Sequence, residues 1–549
     1  MGAVRRAPVV RGDRSSESQW RFSSGGPRPP PSAPARVAIG LVLLFVALTC
    51  WWLSRNRALP YGDAGFHILT ALEFHDFIAE GNWTEPFTVN TAVNNVYPPL
   101  TSLMGALAMF VGGRSAAAPI LAQNLIFVPL LALACYRIAR HAYGELAGCL
   151  AVAFALGAPL IAEQFHVFML DIPLTALVAG TVWLVLESER FERLPIAAAA
   201  GVLAGLGLMT KHTFPLYAAG FVLIVLMRGG RRSLRGFGIF LAAGLVIAAP
   251  WYVGHASELQ TVLKDAGHES NVPPLARPAL LSGANLTWYF WALANGLLFA
   301  PLLAFAAIGT VRTAAAALRE RVRESLPADL LVGLAFAYVA ITVMPHKDVR
   351  YAMPLLVFLA VLGTGWIARL ARGWRTVAIA VLALAVAAST MGATFGIGAR
   401  HSQRLPGNWY APRGQGVMPL NTITFYSADN YMVSGPRRAG DLPGLFQELH
   451  EAGVRYVLLA SPAPDWDADF NANGLILFLR IARLVPLASA SAEIPDAQLA
   501  TLIHEKALGT APPCARLPDG TGVWIRLGAP SSRPARDFCP RFDPPLYGP

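Results

Sequence analysis

Charge is what this chain has little of. Only 14% of its 549 residues are charged, against 55% hydrophobic. Soluble domains carry about 25% charged residues, so an ordinary soluble protein is excluded and a polytopic α-helical membrane protein is expected. Cysteine is scarce too, with five in all. Cys50, Cys135 and Cys149 fall in or beside apolar stretches as packing residues, which leaves Cys514 and Cys539 near the C-terminus. In an oxidising compartment that pair would close a loop of about 26 residues, worth about 3 kcal/mol; two unpaired thiols are the alternative. Aromatic-basic patterns of a nucleic-acid reader are missing despite the net charge of +11, and no nucleic-acid partner is expected. No small-residue cleavage pattern follows the first apolar stretch, where Ser54-Arg55-Asn56-Arg57 stands instead. That stretch reads as an uncleaved anchor.

Residues 1–36 are rich in Arg, Pro, Ser and Gly and read as a disordered basic cytoplasmic tail. Residues 37–396 form the transmembrane domain, with a first external loop at 54–98. Apolar stretches at 37–53, 116–138, 146–162, 165–187, 195–210, 213–228, 235–253, 288–311, 328–345, 351–370 and 376–396 give about 11 spans. Pro99 to Gly112 is short enough to be re-entrant or interfacial, and the total reaches 13 if further segments cross. The most basic loops, Arg228 to Arg235, Arg312 to Arg323 and Arg369 to Arg375, belong in the cytoplasm. Parity then puts the Asp171 end, Lys211, the loop 254–287, the segment 346–350 and everything after 397 outside.

Residues 397–549 lose the long apolar runs and read as a small extracytoplasmic α/β domain. Asp441 to Glu451 predicts a short helix, while Val454 to Leu459, Gly474 to Ile481 and Gly522 to Arg526 predict strands.

The few ionisable residues sit at span ends, and a charge at membrane depth costs about 2.5–3.5 kcal/mol or more. Acids and bases gathered at one face therefore mark a site. Asp63 and His67, four residues apart, share a face if their segment is helical. His75-Asp76 follows, and Phe66, Leu69, Leu72 and Phe74 would be partly buried along the membrane surface. Tyr97-Pro98-Pro99-Leu100 stiffens the end of the loop. Asp171 precedes Ile172-Pro173-Leu174 as an expected helix N-cap. Lys211, in Thr210-Lys211-His212-Thr213, lies at an external junction, where snorkelling is the ordinary role. Pro345-His346-Lys347-Asp348-Val349-Arg350-Tyr351 sets two cations three apart, suited to a phosphate clamp or to lipid headgroups. Lys211, Lys347 and Arg350 would stabilise a departing phosphate, with His346, Tyr97 and Tyr351 as supporting residues. A carboxylate would take the proton of an attacking hydroxyl.

In this order, the acidic residue of the first external loop, Tyr97-Pro98-Pro99-Leu100, Asp171-Ile172-Pro173-Leu174, Lys211-His212-Thr213 and Lys347-Asp348-Val349-Arg350-Tyr351 resemble the GT-C fold glycosyltransferases. Specifically, they resemble the dolichyl-phosphate-mannose protein mannosyltransferase and lipid A aminoarabinose transferase group, over roughly residues 37–396. The resemblance implies an inverting transfer of a sugar from a polyprenyl-phosphate donor to a glycan, lipid or protein acceptor, beside membrane lipids. It implies Asp63 as catalytic base, Asp171 as a second catalytic acidic residue, and Lys211, Lys347 and Arg350 as donor-phosphate contacts. That group's usual Asp-Glu pair is Asp63-Ala64 here, so a carboxylate-pair metal site is incomplete. A divalent metal ion is the one cofactor considered, with His67 as its candidate ligand. The setting expected is a bacterial inner membrane, with the N-terminus cytoplasmic. A transporter or lipid-carrier flippase is the alternative, but transporters place charges near the midplane, often in repeated halves. Here no internal repeat is evident and the charges sit at one face.

Overall fold

The structure is a computed structural model describing residues 31–56, 58, 60, 62–88, 97–265, 278–319, 325–345, 347–397, 435–436, 442–459, 472–487, 498–505, 514–516 and 522–527. Cys539 and His346 lie outside these residues. A chain crossing lipid must satisfy its backbone internally, and the apolar stretches accordingly form helices. In chain order they are α1 (Ala33–Arg55), α2 (Gly62–Ala79), α3 (Glu85–Thr88), α4 (Leu100–Gly112), α5 (Ala117–Tyr143), α6 (Glu145–Leu156) and α7 (Pro159–Gln164). Then come α8 (Asp171–Glu187), α9 (Leu194–Leu208), α10 (Pro215–Gly229), α11 (Leu234–Gly254), α12 (Ala256–Asp265), α13 (Gly283–Ala292), α14 (Phe299–Arg319), α15 (Leu326–Val343), α16 (Leu356–Gly365) and α17 (Arg372–Phe395).

Seven helical runs among the described residues are long and apolar enough to cross a membrane: Ala33–Arg55, Ala117–Tyr143, Pro215–Gly254, Phe299–Arg319, Leu326–Val343, Val349–Arg369 and Arg372–Phe395. Leu100–Gly112, Glu145–Leu156 and Leu194–Leu208 are shorter apolar helices. The protein is thus a multi-pass membrane protein, and the run Pro215–Gly254 holds two of the expected spans, α10 and α11. The anchor starts before Val37, since the Ser32 hydroxyl caps α1 by accepting from the Ala35 amide and Pro34 fits its first turn.

Two interruptions shape the interior. After α6, Gly157 and Pro159 set off the short α7, and residues 165–170 are not helical. Two amides of α5 hold that stretch. Gln123 donates to Val167 O at 3.0 Å and accepts from the Met169 amide at 3.2 Å, while Asn124 donates to Phe165 O at 2.9 Å. These bonds supply partners to irregular backbone inside the bundle. The predicted span 288–311 is broken as well. A wide helical turn at Leu293–Leu297 precedes Phe299, whose φ of 55° is left-handed for a bulky residue.

Arginines collect at one end of the helices. Arg137 pairs with Glu187 at the end of α8 (3.4 Å), and Arg228 at the end of α10 pairs with Asp329 at the start of α15 (2.5 Å). Arg369 lies 5.3 Å from the Tyr143 ring at the end of α5. The opposite ends of α8, α10 and α15 carry Asp171, Lys211 and Lys347.

The C-terminal region is a small α/β unit. Helices α18 (Leu442–Glu451) and α19 (Ala472–Ile481) accompany β1 (Tyr456–Leu459), β2 (Val485–Leu487), β3 (Leu499–Glu505), β4 (Ala515–Arg516) and β5 (Gly522–Leu527), in the order β2-β1-β3-β5-β4. β1 pairs in parallel with β2 and β3, and β5 pairs antiparallel with β3 and β4. Cys514 is disulfide-bonded. The strand expected at Gly474–Ile481 is instead α19, a correction with a clear cause. Leu475, Leu479 and Ala482 face the sheet beside Val457, Leu502 and Ile525, whereas Leu477 packs with Ile68, Leu69 and Leu72 of α2. A helix buried on two sides needs an unbroken apolar run, which by pattern alone equals a buried strand.

This packing docks the C-terminal unit on α2. Arg480 pairs with Glu73 at 3.5 Å, and Arg114 bridges from Asp76 to the Arg480 carbonyl. On the far side α2 meets α4, where a side chain at Gly105 would lie 2.9 Å from Ala71 and 2.8 Å from Phe168. Truncating fully buried Leu477 to Ala is expected to destabilise the purified protein by about 2–5 kcal/mol. A lowered thermal unfolding temperature checks it, and an unchanged one would show that this docking contributes little.

Candidate functional site

Helix α2 forms as the four-residue spacing predicts, with Asp63 in its first turn and His67 one turn on. Ala64 is buried against Val167 and Met169, so the position lacking the second acid is filled by apolar packing. Leu69, Leu72, Phe74 and His75 are buried and Phe66 half-buried, which fixes the helix and presents Asp63 with its carboxylate 52% exposed. Among the described residues no group of three or more His, Cys, Asp or Glu could hold a metal ion. His67 therefore belongs to no such group there.

Arg350 lies in the tight turn Val349–Leu355 that leads into α16. Its Nη2 donates to Asp63 Oδ2 at 2.8 Å and to Asp348 Oδ2 at 2.5 Å, and its Nε donates to the same Asp348 oxygen at 3.0 Å. Asp348 Oδ1 caps the turn by accepting from the Arg350 amide at 2.9 Å. Nη1 faces the Met169 thioether at 3.9 Å, a weak acceptor. The Arg350 guanidinium beside Asp63 holds its carboxyl below the ordinary 3.8, outweighing the upward push of burial. Asp63 is thus an ionised carboxylate at neutral pH.

A second ion pair lies alongside. Lys211 Nζ, at the α9–α10 junction, donates to Asp171 Oδ1 at 3.0 Å, with both side chains buried (9% and 2% exposed). Burial alone would push Lys211 down, but Asp171 and Tyr97 together more than offset it and its pKa is raised. Its ammonium also lies 4.8 Å from the Tyr351 ring centre, which links the pair to the Arg350 turn. Asp171 is not the N-cap expected of it: it is the first residue of α8, where Leu170 is the cap, and its carboxylate is turned to Lys211.

Tyr97 joins the two halves. Its ring meets His67 edge-on at 5.5 Å and lies near-parallel to His212 at 6.3 Å. Burial pushes His67 down to about 4 and His212 to about 4, so both imidazoles are neutral at pH 7. Asp63, His67, Tyr97, Asp171, Lys211, Arg350 and Tyr351, distant in sequence, thus come together.

Lys347 does not join them. Its Nζ is buried, donating to Thr342 O at 2.6 Å and Ile341 O at 3.3 Å, 5.3 Å from the Tyr289 ring centre. A helix end leaves its last carbonyls without intrahelical partners, and a cation there also meets the dipole favourably. Where a phosphate contact was expected of it, Lys347 caps α15 in this structure. Burial lowers it to about 8, which leaves it mostly protonated at pH 7. Lys347→Met should cost about 1–3 kcal/mol by removing two charge-assisted hydrogen bonds, although Thr342 O keeps the Asn285 side-chain amide at 3.1 Å and Ile341 O the Met344 amide at 3.2 Å. It should leave lipid-phosphate affinity of the folded protein unchanged, as melting and binding measurements would show.

Asp348 is the residue that sequence reasoning passed over. The signal was present, an acid just before a helical turn with an arginine two places on, which is N-cap spacing.

The dolichyl-phosphate-mannose-protein mannosyltransferase family pattern matches residues 96–253, which hold Tyr97, Asp171 and Lys211. No curated protein matches the chain. Among solved structures it is similar to ArnT from Cupriavidus metallidurans bound to undecaprenyl phosphate, with a TM-score of 0.54 and 16% identity over 83% of this chain and 87% of that one. It is also similar to the same protein in the apo state, with a TM-score of 0.51 and 16% identity over 82% and 86%. The chain therefore has the ArnT-like GT-C fold, and its residues 96–253 carry the pattern of the dolichyl-phosphate-mannose-protein mannosyltransferase family.

Proposed function

We propose that the protein is a membrane glycosyltransferase that moves a sugar from a polyprenyl-phosphate donor to an acceptor hydroxyl, with inversion. The observation that carries this reading is the contact between Arg350 and Asp63, a guanidinium suited to phosphate touching an ionised, half-exposed carboxylate. Asp63 would take the acceptor's hydroxyl proton as that oxygen bonds to the anomeric carbon. The bond from that carbon to the phosphate oxygen breaks, and polyprenyl phosphate departs with the electron pair. Arg350 would stabilise the growing negative charge. The Lys211–Asp171 pair would supply a fixed positive end one shell further in, held by Tyr351 and Tyr97.

The fold of ArnT, described bound to undecaprenyl phosphate, supports a polyprenyl-phosphate donor. The acceptor is a glycan, lipid or protein, and the sugar a hexose or pentose. The gathering of arginines at the far helix ends supports an extracytoplasmic site and a cytoplasmic N-terminus. The disulfide at Cys514 agrees with an oxidising compartment for the C-terminal unit, and a bacterial inner membrane is the setting we favour. Gathering of the site at one end of the helices, rather than at the midplane, weighs against a transporter.

The test is to incubate membranes containing the full chain with a panel of radiolabelled polyprenyl-phosphate sugars. Transfer of label by the wild type and not by Asp63→Asn is expected. Transfer at an undiminished rate by Asp63→Asn would remove Asp63 as base.

A further inference from the structure

We infer that Asp348 is a positioning residue of this site: it grips the Nε–Nη2 edge of Arg350 so that Nη1 is turned toward the donor's phosphate while Nη2 holds Asp63. The inference rests on the polyprenyl-phosphate reading above and adds a residue to it.

The geometry divides the work of each atom. One oxygen of Asp348 caps the turn through the Arg350 amide at 2.9 Å, and the other accepts from Nε at 3.0 Å and Nη2 at 2.5 Å. Both ends of the arginine, its backbone and its fork, are thereby tied to one carboxylate that is itself 11% exposed. A guanidinium carries five donors in a rigid plane, so fixing one edge fixes where the others point. The second hydrogen of Nη2 is spent on Asp63 at 2.8 Å. Among the described residues Nη1 keeps only the thioether of Met169 at 3.9 Å, which an anionic oxygen would outcompete. Met169 packs on Ala64, the neighbour of Asp63, so the placeholder sits where an arriving phosphate would lie beside the base.

The arrangement has a consequence for the base. Arg350 is shared between two carboxylates, and without Asp348 its whole fork could swing onto Asp63. Asp63 would then be paired more tightly and the phosphate would lose its donor. Asp348 also stands near enough to raise the proton affinity of Asp63, against Arg350, which lowers it.

The test uses the full-length purified protein, polyprenyl phosphate as the binding probe, and the transfer assay for kinetics. Asp348→Asn should weaken polyprenyl phosphate binding and raise donor KM by about tenfold or more, the scale of a lost charge-assisted contact. It should also move the acid limb of kcat/KM to lower pH, with the unfolding temperature kept near that of the wild type. Asp348→Ser, which retains a short capping acceptor but cannot span the fork, should behave alike. In an Arg350→Gln background, Asp348→Asn should add no further loss of binding, a non-additivity that a residue serving only as a cap would not produce. Wild-type binding and kinetics in both folded Asp348 variants, or full additivity with Arg350→Gln, would overturn the inference and leave the transferase reading standing. A wild-type protein that neither binds polyprenyl phosphate nor transfers label from any donor overturns that reading, and the role of Asp348 with it.

Discussion

Asp63→Asn should reduce transfer by about 10²–10⁴-fold, the range a positioned general base contributes, with the protein still folded. The carboxylate is 52% exposed, and exposed ion pairs are worth about 0–1 kcal/mol, so stability should scarcely change. Asparagine keeps an oxygen that can accept from Arg350 Nη2 but cannot take a proton from a hydroxyl. Donor affinity should therefore hold or rise, because Arg350 no longer shares itself with a full negative charge. The loss should appear in kcat rather than in donor KM. The pH profile follows from the same contact. As the proposed base Asp63 would work only when ionised, and Arg350 holds its carboxyl below the ordinary 3.8. Activity limited by this group is thus retained on acidification through the usual carboxylate range and lost only below it. Replacing Arg350 with Gln should move the acid limb upward. A single-turnover measurement across pH checks both directions, and an acid limb unmoved by Arg350→Gln would break the link between the two residues.

The second large effect is on stability. Asp171→Leu or Lys211→Met alone should each cost about 3–5 kcal/mol, since each leaves a buried charge without its partner. Lys211 and Asp171 are 3.0 Å apart with side chains 9% and 2% exposed, so water cannot take over. The double change Asp171→Leu with Lys211→Met should recover much of that loss, because an apolar pair of similar volume is often neutral or better. Recovery of the unfolding temperature without recovery of transfer would assign the pair a role in the site beyond holding α8 to the α9–α10 junction. A double variant destabilised by the sum of the two single losses would mean that the two charges are not coupled.

These expectations rest on features that were unequally legible in the chain. Lipid enforces long apolar runs, so the membrane class and most helix positions followed from hydropathy. The opposed ends also followed, since arginines at one end and Asp171 and Lys211 at the other are a charge pattern. Interruptions were harder to read. Residues 165–170 are almost wholly apolar, and what holds them out of helix is a pair of amides on α5, Gln123 and Asn124, distant in sequence. The identity of α19 depended on its being buried by α2 as well as by the sheet, a tertiary fact that the run from Gly474 to Ile481 cannot express.

The site shows the same division. That Asp63 and Arg350 lie on one side was deducible from topology; that they touch was not. Lys347 and Arg350, three residues apart, looked like one clamp, but the chain turns between them. One cation enters the site and the other closes the end of α15. The missing acid at Ala64 was visible in the sequence, whereas its counterpart was not. The second carboxylate beside Asp63 comes from Asp348, and the shared Nη2 of Arg350 joins them.

The most direct measurement is an electron cryomicroscopy structure of the full chain with a non-hydrolysable polyprenyl-phosphate sugar analogue. The account predicts phosphate oxygens on Arg350 Nη1, displacing the Met169 thioether, with the anomeric carbon on the Asp63 side and Lys347 still on the α15 carbonyls. A phosphate bound instead at the opposite helix ends, among Arg137, Arg228 and Arg369, would contradict it.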